Sequence, residues 1–375
     1  MKHAPCLVWN SAFLFVAFGV LSNCSVQADL LLEGVVGEVK SAEALFNDLD
    51  VKVNFKRESG KGRAKLDTSS NPNFQPVLNT TSSIWSVSQS GMYRSQAHFN
   101  MEEMDGDERV HERLKMFDGE VTRVLKDDAI ANITQGLKSD KDFVRPHTLL
   151  VKRPFYYMSL STLLSGTDVL LSSPQSEWPA DHSVDYAYHG LSVVQDLDCD
   201  HITITLSVSN KPRMEIDLFL AKQRNLIPAK VVWRSLPVSK ETPVEVGKVL
   251  DWIEIAPGIW FPQDAELISY NPVQIKFVGN QVPQWTDTYH VESVSITPNY
   301  DRSFFQDIEI PDGTAVYEVE GDQITKSYRK GGPKTVASEP VSNRFYFVTI
   351  NVIIFALLAL GYLIHSVRKK TTSVS

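Results

Sequence analysis

Ile202, Ile204, Leu206 and Val208 alternate with Thr203, Thr205 and Ser207, the chain turns at Asn210-Lys211-Pro212, and Met214, Ile216, Leu218 and Leu220 resume the alternation. A period of two places every second side chain on one side of a strand, so this hairpin has an apolar face that must be covered. Comparable extended runs span Ile84 to Val87, Met92 to Met101, His111 to Met116, Glu120 to Leu125, Thr148 to Val151, Ala229 to Trp233, Trp260 to Tyr270 and Trp285 to Ile296, with Gly, Pro, Asn or Asp between many of them. Strands that follow one another through short turns argue for a mainly β chain, an antiparallel meander.

Ahead of these strands Leu31, Leu32, Val35, Val36, Val39, Ala42, Leu45, Phe46 and Leu49 recur at helical spacing. They predict one amphipathic helix opening the domain. The period then changes to two at Val51, Val53 and Phe55, while Asn71 to Asn79, with Pro72 and Pro76, reads as a loop. Asp140 to Thr167 is less strand-like, and Tyr156 to Leu164 predicts a short helix covering part of the sheet.

The two ends of the chain set its environment. Lys2 and His3, the apolar run Ala12 to Leu21 and the small-residue site Val26-Gln27-Ala28 form a secretory leader, with cleavage expected before Asp29. A rival reading is lipidation at Cys24, disfavoured by Asn23 where such signals carry a small residue. Phe345 to Ile364 carries no charge and is long enough for about 30 Å of helix, the thickness of a hydrocarbon core. Arg368, Lys369 and Lys370 follow it and place the tail in the cytoplasm. The expected organisation is a signal peptide at 1–28, an exported β-rich domain at 29–325, a polar tether at 326–344, a transmembrane helix at 345–367 and a cytoplasmic tail at 368–375. The domain would stand outside the cytoplasm, periplasmic or extracellular. Once Cys6 and Cys24 leave with the leader, Cys199 has no partner for an intrachain disulfide, so the core alone must hold the domain. The net charge of −8 without a basic face excludes nucleic acid as a partner class.

Four stretches carry a family likeness: Phe117-Asp118-Gly119-Glu120 at a turn, the hairpin Met214 to Trp233 with Leu226-Ile227-Pro228 at its bend, Gly258-Ile259-Trp260-Phe261-Pro262, and Phe304 to Gly313 running into Thr314. In this order, behind an opening helix, they resemble the LolA-like carriers and outer-membrane lipoprotein-sorting proteins of bacterial envelopes. The resemblance implies a strongly curved, incompletely closed sheet around an apolar cavity capped by one or two helices, and a carrier rather than an enzyme. The C-terminal anchor departs from a freely diffusing carrier. The ligand it implies is a lipid, a lipoprotein acyl chain or another apolar molecule. The face that would meet it is Ile202, Ile204, Leu206, Val208, Met214, Ile216, Leu218 and Leu220; the bland alternative is that these residues touch only protein.

Polar motifs give less. Asp196, Asp198 and Asp200, followed by His201, would share one face of a strand and could gather a cation, but the glycine and distal glutamate of a calcium loop are missing, and no metal or other cofactor is assigned. Ser327 and Lys330 have serine-lysine spacing in a stretch too polar to depress a lysine pKa. His98, His111, His147, His182, His189 and His290 show no ligand-like pairing, and no phosphate loop or nucleophile elbow is present, so no catalytic residue is assigned. Asn79-Thr80-Thr81 and Asn132-Ile133-Thr134 fit glycosylation acceptors. Two further readings stay open: a single-pass surface or adhesion module that binds a protein partner, and a hydrolase assembled from acids and histidines distant in sequence.

Overall fold

The computed structural model describes residues 31–62, 77–103, 108–136, 144–151, 158–165, 182–321, 323–332 and 334–336. The expected leader, the apolar run 345–364 and the basic residues after it lie outside them. Among the described residues no helix is long and apolar enough to cross a membrane.

Helix α1 (31–43) runs through a single 3-10 turn, Ala44–Phe46, into the first strand. Six strands then form one meander: β1 (Leu49–Ser59), β2 (Val77–Gln89), β3 (Met92–Glu103), β4 (Glu108–Phe117), β5 (Val121–Lys126) and β6 (Ile130–Gln135). After a 3-10 turn at Pro146–Leu149 and helix α2 (Leu160–Ser165) comes a second meander. Its strands are β7 (His182–Val194), β8 (Leu197–Val208), β9 (Lys211–Ala221), β10 (Ile227–Ser235), β11 (Glu245–Ala256), β12 (Ile259–Tyr270) and β13 (Pro283–Ser295). Helix α3 (Pro272–Val278) joins β12 to β13; α4 (Ser303–Gln306), β14 (Ala315–Glu320), β15 (Gln323–Arg329) and β16 (Lys334–Val336) follow. All sixteen strands belong to one open, curved sheet, in the order β16-β15-β14-β6-β5-β4-β3-β2-β1-β13-β12-β11-β10-β9-β8-β7.

One seam, β1 against β13, joins the two meanders, with Val53 opposite Val291 and Arg57 opposite Asp287. Short turns set the register elsewhere. Residues 127–128, 195–196 and 209–210 all have positive φ, the backbone that matches a two-residue hairpin turn to the twist of its strands. The hairpin β8–β9 pairs Ile202 with Leu218 and Ile204 with Ile216, so the alternation read in the sequence does put one apolar face on both strands.

That inner face is covered. Val35 and Val39 of α1, Leu149 to Val151, and Leu160, Leu163 and Leu164 of α2 form one cluster with Leu49, Val51 and Val53 of β1, the β8 and β9 residues and Phe261. Gly247 on β11 lets the 3-10 turn approach: a Cβ there would lie 2.9 Å from Leu267 and 3.2 Å from Leu150. On the outer face the segment after β13 crosses to the far side of the first meander. Trp85 Nε1 and Tyr300 OH both donate to Asp50, at 2.8 and 2.6 Å, and Phe304 stacks on Tyr300.

Several expectations are corrected here. Thr148 to Val151 is no strand but the end of the turn opened by Pro146, because a short apolar run buried on all sides carries no period to distinguish the two. The sheet is not wholly antiparallel: β14 pairs with β6 in parallel, since the outer crossover delivers the chain at the end where β6 begins. The opening helix ends before Leu45 and Phe46, which lie in the 3-10 turn. Residues 77–79 belong to β2 rather than to the loop. Strands β15 and β16 extend the sheet into the stretch whose composition read as a tether, and residues 337–344 of that reading lie outside the described residues.

Candidate functional site

At the end of the sheet where α1 meets β1, the covered inner face opens into a cavity of about 270 Å³. Five pieces of chain surround it: Val39, Glu43, Phe46 and Asn47 within and after α1; Ser88 and Gly91 to Tyr93 around the β2–β3 turn; Arg145 to His147; Ser159 and Leu160 at the start of α2; and Asn225 to Pro228 at the β9–β10 bend. The pieces are fixed to one another by hydrogen bonds. The Glu43 carboxylate accepts from the backbone N–H groups of Leu160 and of Ser161, the latter at 3.0 Å, tying α1 to the start of α2. His147 Nε2 donates to the Met158 carbonyl at 3.0 Å, Ser88 Oγ donates to the Asn47 carbonyl at 2.7 Å, and Tyr186 OH donates to the Leu163 carbonyl at 2.9 Å. His147 is buried; burial, and after it the charge of Arg145, push its pKa down to about 3, so it is neutral at physiological pH.

The β9–β10 bend holds a strained conformation. Asn225 and Leu226 have φ of 55° and 53°, a region that a leucine side chain disfavours. Asn225 stabilises it by accepting from Trp260 N at 2.7 Å and donating to the Gly258 carbonyl at 3.1 Å, and Arg224 lies 3.7 Å over the Trp260 ring. The consequence is that Leu226 is turned inward, almost wholly buried, as a cavity wall. Asn225→Ala is expected to cost about 2 kcal/mol, from two lost hydrogen bonds and a left-handed residue with less tolerance for that backbone. Thermal unfolding measures it; an unchanged midpoint would show that the bend does not depend on Asn225.

The sequence-predicted ligand face lies beside this cavity and does not line it. Ile202, Ile204, Leu206, Ile216, Leu218 and Leu220 are at most 2% exposed and pack beneath the helices, while Val208 and Met214 are half-buried. Of the stretches singled out in the sequence, the opening helical pattern reaches the cavity through Val39 and Phe46, the strand run through Met92, the short helix through Leu160 and the bend through Leu226-Ile227-Pro228. Glu43 and His147 gave no sequence signal, because each acts through a contact made only in the folded chain.

The acidic run is dispersed. Asp196 sits in the β7–β8 turn, Asp198 accepts from Gln223 Nε2 at 2.9 Å, and Asp200, buried on the inner side, accepts from Tyr188 OH at 2.8 Å and Lys222 Nζ at 3.2 Å. Burial, with Asp200 after it, raises Tyr188 to about 12. His201 stacks on Phe219, with ring centroids 4.4 Å apart. Among the described residues no group of three or more His, Cys, Asp or Glu could hold a metal ion. His98, His111 and His290 each pair with one carboxylate, of Glu112, Asp127 and Asp264.

No protein family matches the chain, and no curated protein matches it. Solved structures do. The chain is similar to a DUF1329 family protein from Desulfovibrio piger, at 12% identity over 73% of this chain and 96% of that one, with a TM-score of 0.37. It is similar to a putative outer membrane lipoprotein-sorting protein domain from Vibrio parahaemolyticus, at 8% identity, 72% and 96% coverage and a TM-score of 0.33. It is also similar to a LolA superfamily protein from Nitrosomonas europaea, at 10% identity, 72% and 96% coverage and a TM-score of 0.35. The last two are of the group that the turn motifs resemble.

Proposed function

We propose that the chain is an exported, membrane-anchored binding protein that takes an acyl chain or similarly extended apolar ligand into the cavity at the α1 end of the sheet, without chemistry. One observation carries this reading: the apolar inner face continues into a cavity of about 270 Å³ whose wall, Leu226 to Pro228, lies at the bend of the hairpin bearing Leu218 and Leu220. Leu226 is held there at a conformational cost, as expected of a preformed site. Ile202, Ile204, Leu206, Val208, Met214, Ile216, Leu218 and Leu220 are the floor along which a longer ligand extends when α1 and α2 shift from the sheet. The apolar run 345–364 keeps the domain at the membrane that supplies such ligands.

The test uses the full chain in vesicles with a photoactivatable fatty acid, followed by mass-spectrometric mapping of the adducts. Adducts are expected on the segments 88–93 and 225–228, and Leu226→Asp, which puts a carboxylate in the wall, is expected to reduce them at least tenfold while far-UV circular dichroism stays unchanged. Labelling confined to 345–364 would refute binding in the cavity.

A further inference from the structure

At the opposite end of the sheet from the cavity, α3 presents an apolar surface to solvent. Phe277 is 75% exposed, Val278 59% and Val273 58%, while Ile275 alone points inward and is buried. Scattered single exposures of this kind are ordinary; here three occur within six residues, and the backbone gives them no freedom to withdraw. Asn271 caps α3 by accepting from Val273 N at 2.8 Å and Gln274 N at 3.1 Å, and its Nδ2 donates to the Gly62 carbonyl. Gly279 closes the helix in the left-handed region, and Gln281 Nε2 donates to the Pro243 carbonyl at 2.9 Å. The tip is thus buttressed by the loops at 60–62 and 236–244. Gly60 and Gly62 lie so close that a Cβ on either would meet a backbone oxygen, of Pro283 at 2.2 Å or Val282 at 2.6 Å.

Charge narrows the partner. The described loops that surround the tip, 60–62, 236–244 and 271–282, hold Lys61, Lys240 and Lys276 against Glu241 alone, a local excess of two positive charges on a chain whose net charge is −8. Rigid apolar side chains ringed by lysines match a lipid surface with anionic headgroups: the side chains enter the interface and the ammonium groups remain at the headgroup level. Beyond the described residues the sequence carries the charge-free run 345–364 followed by Arg368, Lys369 and Lys370. A segment of that kind holds the domain against a bilayer.

We infer that α3 is a membrane-docking tip: Val273, Phe277 and Val278 insert into the interfacial layer of an anionic bilayer, and Lys61, Lys240 and Lys276 bind its headgroups. The inference rests on the reading of 345–364 as an anchor, and it fixes the orientation of the domain, with the sheet end bearing α3 toward the lipid and the ligand cavity away from it.

The test places an environment-sensitive fluorophore on the full chain, with Cys6 and Cys24 changed to Ser, at Val278→Cys, with Glu120→Cys at the far end of the sheet as control; the buried Cys199 is shielded from labelling. The chain is reconstituted in vesicles of neutral lipid, and of neutral lipid with a third anionic lipid. At position 278 the emission is expected to shift to the blue and to be quenched by a lipid-borne quencher, more strongly with anionic lipid; position 120 should show neither. Lys276→Gln in the Val278→Cys background is expected to weaken the contact about fivefold in anionic vesicles and leave neutral vesicles unaffected. Vesicle flotation reads the anchor separately. If the chain fails to float, the anchor reading is lost, and vesicles added to the soluble chain then decide the tip by the same signals. Emission at 278 that is indifferent to lipid in either format overturns the docking tip, as does a crosslink between two copies through position 278 without lipid quenching, which would assign the surface to a second chain.

Discussion

Arg57→Met is expected to lower the stability of the domain by about 3 kcal/mol, more than any surface substitution on this sheet. Arg57 and Asp287 form a bidentate pair, Nε to Oδ1 at 2.6 Å and Nη2 to Oδ2 at 2.7 Å, directly across the seam of β1 and β13. The Asp287 side chain has no solvent exposure, whereas that of Arg57 keeps 38%. Removing the guanidinium therefore takes two charge-assisted hydrogen bonds from a carboxylate that water cannot reach, and breaking such a pair from one side costs about 3–5 kcal/mol, with the partial exposure of Arg57 placing this one at the low end. Removing both charges is a different experiment, because no charge is left uncompensated. Arg57→Met with Asp287→Leu should recover to within about 1 kcal/mol of the native chain. Denaturant midpoints of the two single variants and the double variant measure the effect. Equal losses in Arg57→Met and in the double variant would show that the pair is not what holds the seam. The location gives this stability change a functional consequence: the cavity takes Ser88 and Gly91 to Tyr93 from the first meander and Asn225 to Pro228 from the second, so loosening the seam should also weaken ligand labelling.

The seam also marks where reading the sequence stops. Alternation identified β8 and β9 and the face they share, because that pattern is local and every second residue reports the same environment. The opening helix was legible from its own local spacing, and the short helix expected over Tyr156 to Leu164 is found at Leu160–Ser165. Strands β6, β7 and β11 were not. Exposed residues such as Ile130, Leu191, Val193 and Leu250 blur their period, and β7 lies at an edge of the sheet. Nothing local says that β1 should pair with β13, more than two hundred residues away, or that β14 should lie parallel to β6. The parallel pairing follows from the outer crossover, whose anchors at Asp50, Trp85 and Tyr300 are single side chains without a periodic signal. The cavity was half legible: Leu226-Ile227-Pro228 stood out as a bend, but its partners Glu43 and His147 are an exposed-looking helix residue and an isolated histidine until the chain folds.

His147 makes the cavity cover sensitive to acid. Its folded pKa of about 3 lies below the ordinary 6.5 of histidine, so between those values the unfolded chain takes up a proton that the native chain refuses. Stability must then fall as pH decreases, by up to about 1.4 kcal/mol per pH unit from this residue, reaching about 2.5 kcal/mol at pH 4.5. Carboxylates held low act in a lower window: Asp118, at about 2 because the Val121 N–H and Arg123 outweigh its burial, loses its contribution only below the ordinary aspartate value near 3.8. His201, lowered by burial on the outer face, acts in the same direction as His147 and leaves a residual slope. The discriminating variant is His147→Gln, which keeps a donor for the Met158 carbonyl and cannot titrate. Between pH 6.5 and 4.5 its melting temperature should fall clearly less than that of the native chain. If His147 protonates by breaking out of its pocket, the turn at 146–149 and the start of α2 leave the inner face together, because the Met158 carbonyl is the link between them. Hydrogen exchange at Leu163 should then accelerate in the native chain at pH 4.5 and not in His147→Gln; identical pH profiles for the two proteins would remove His147 as the cause.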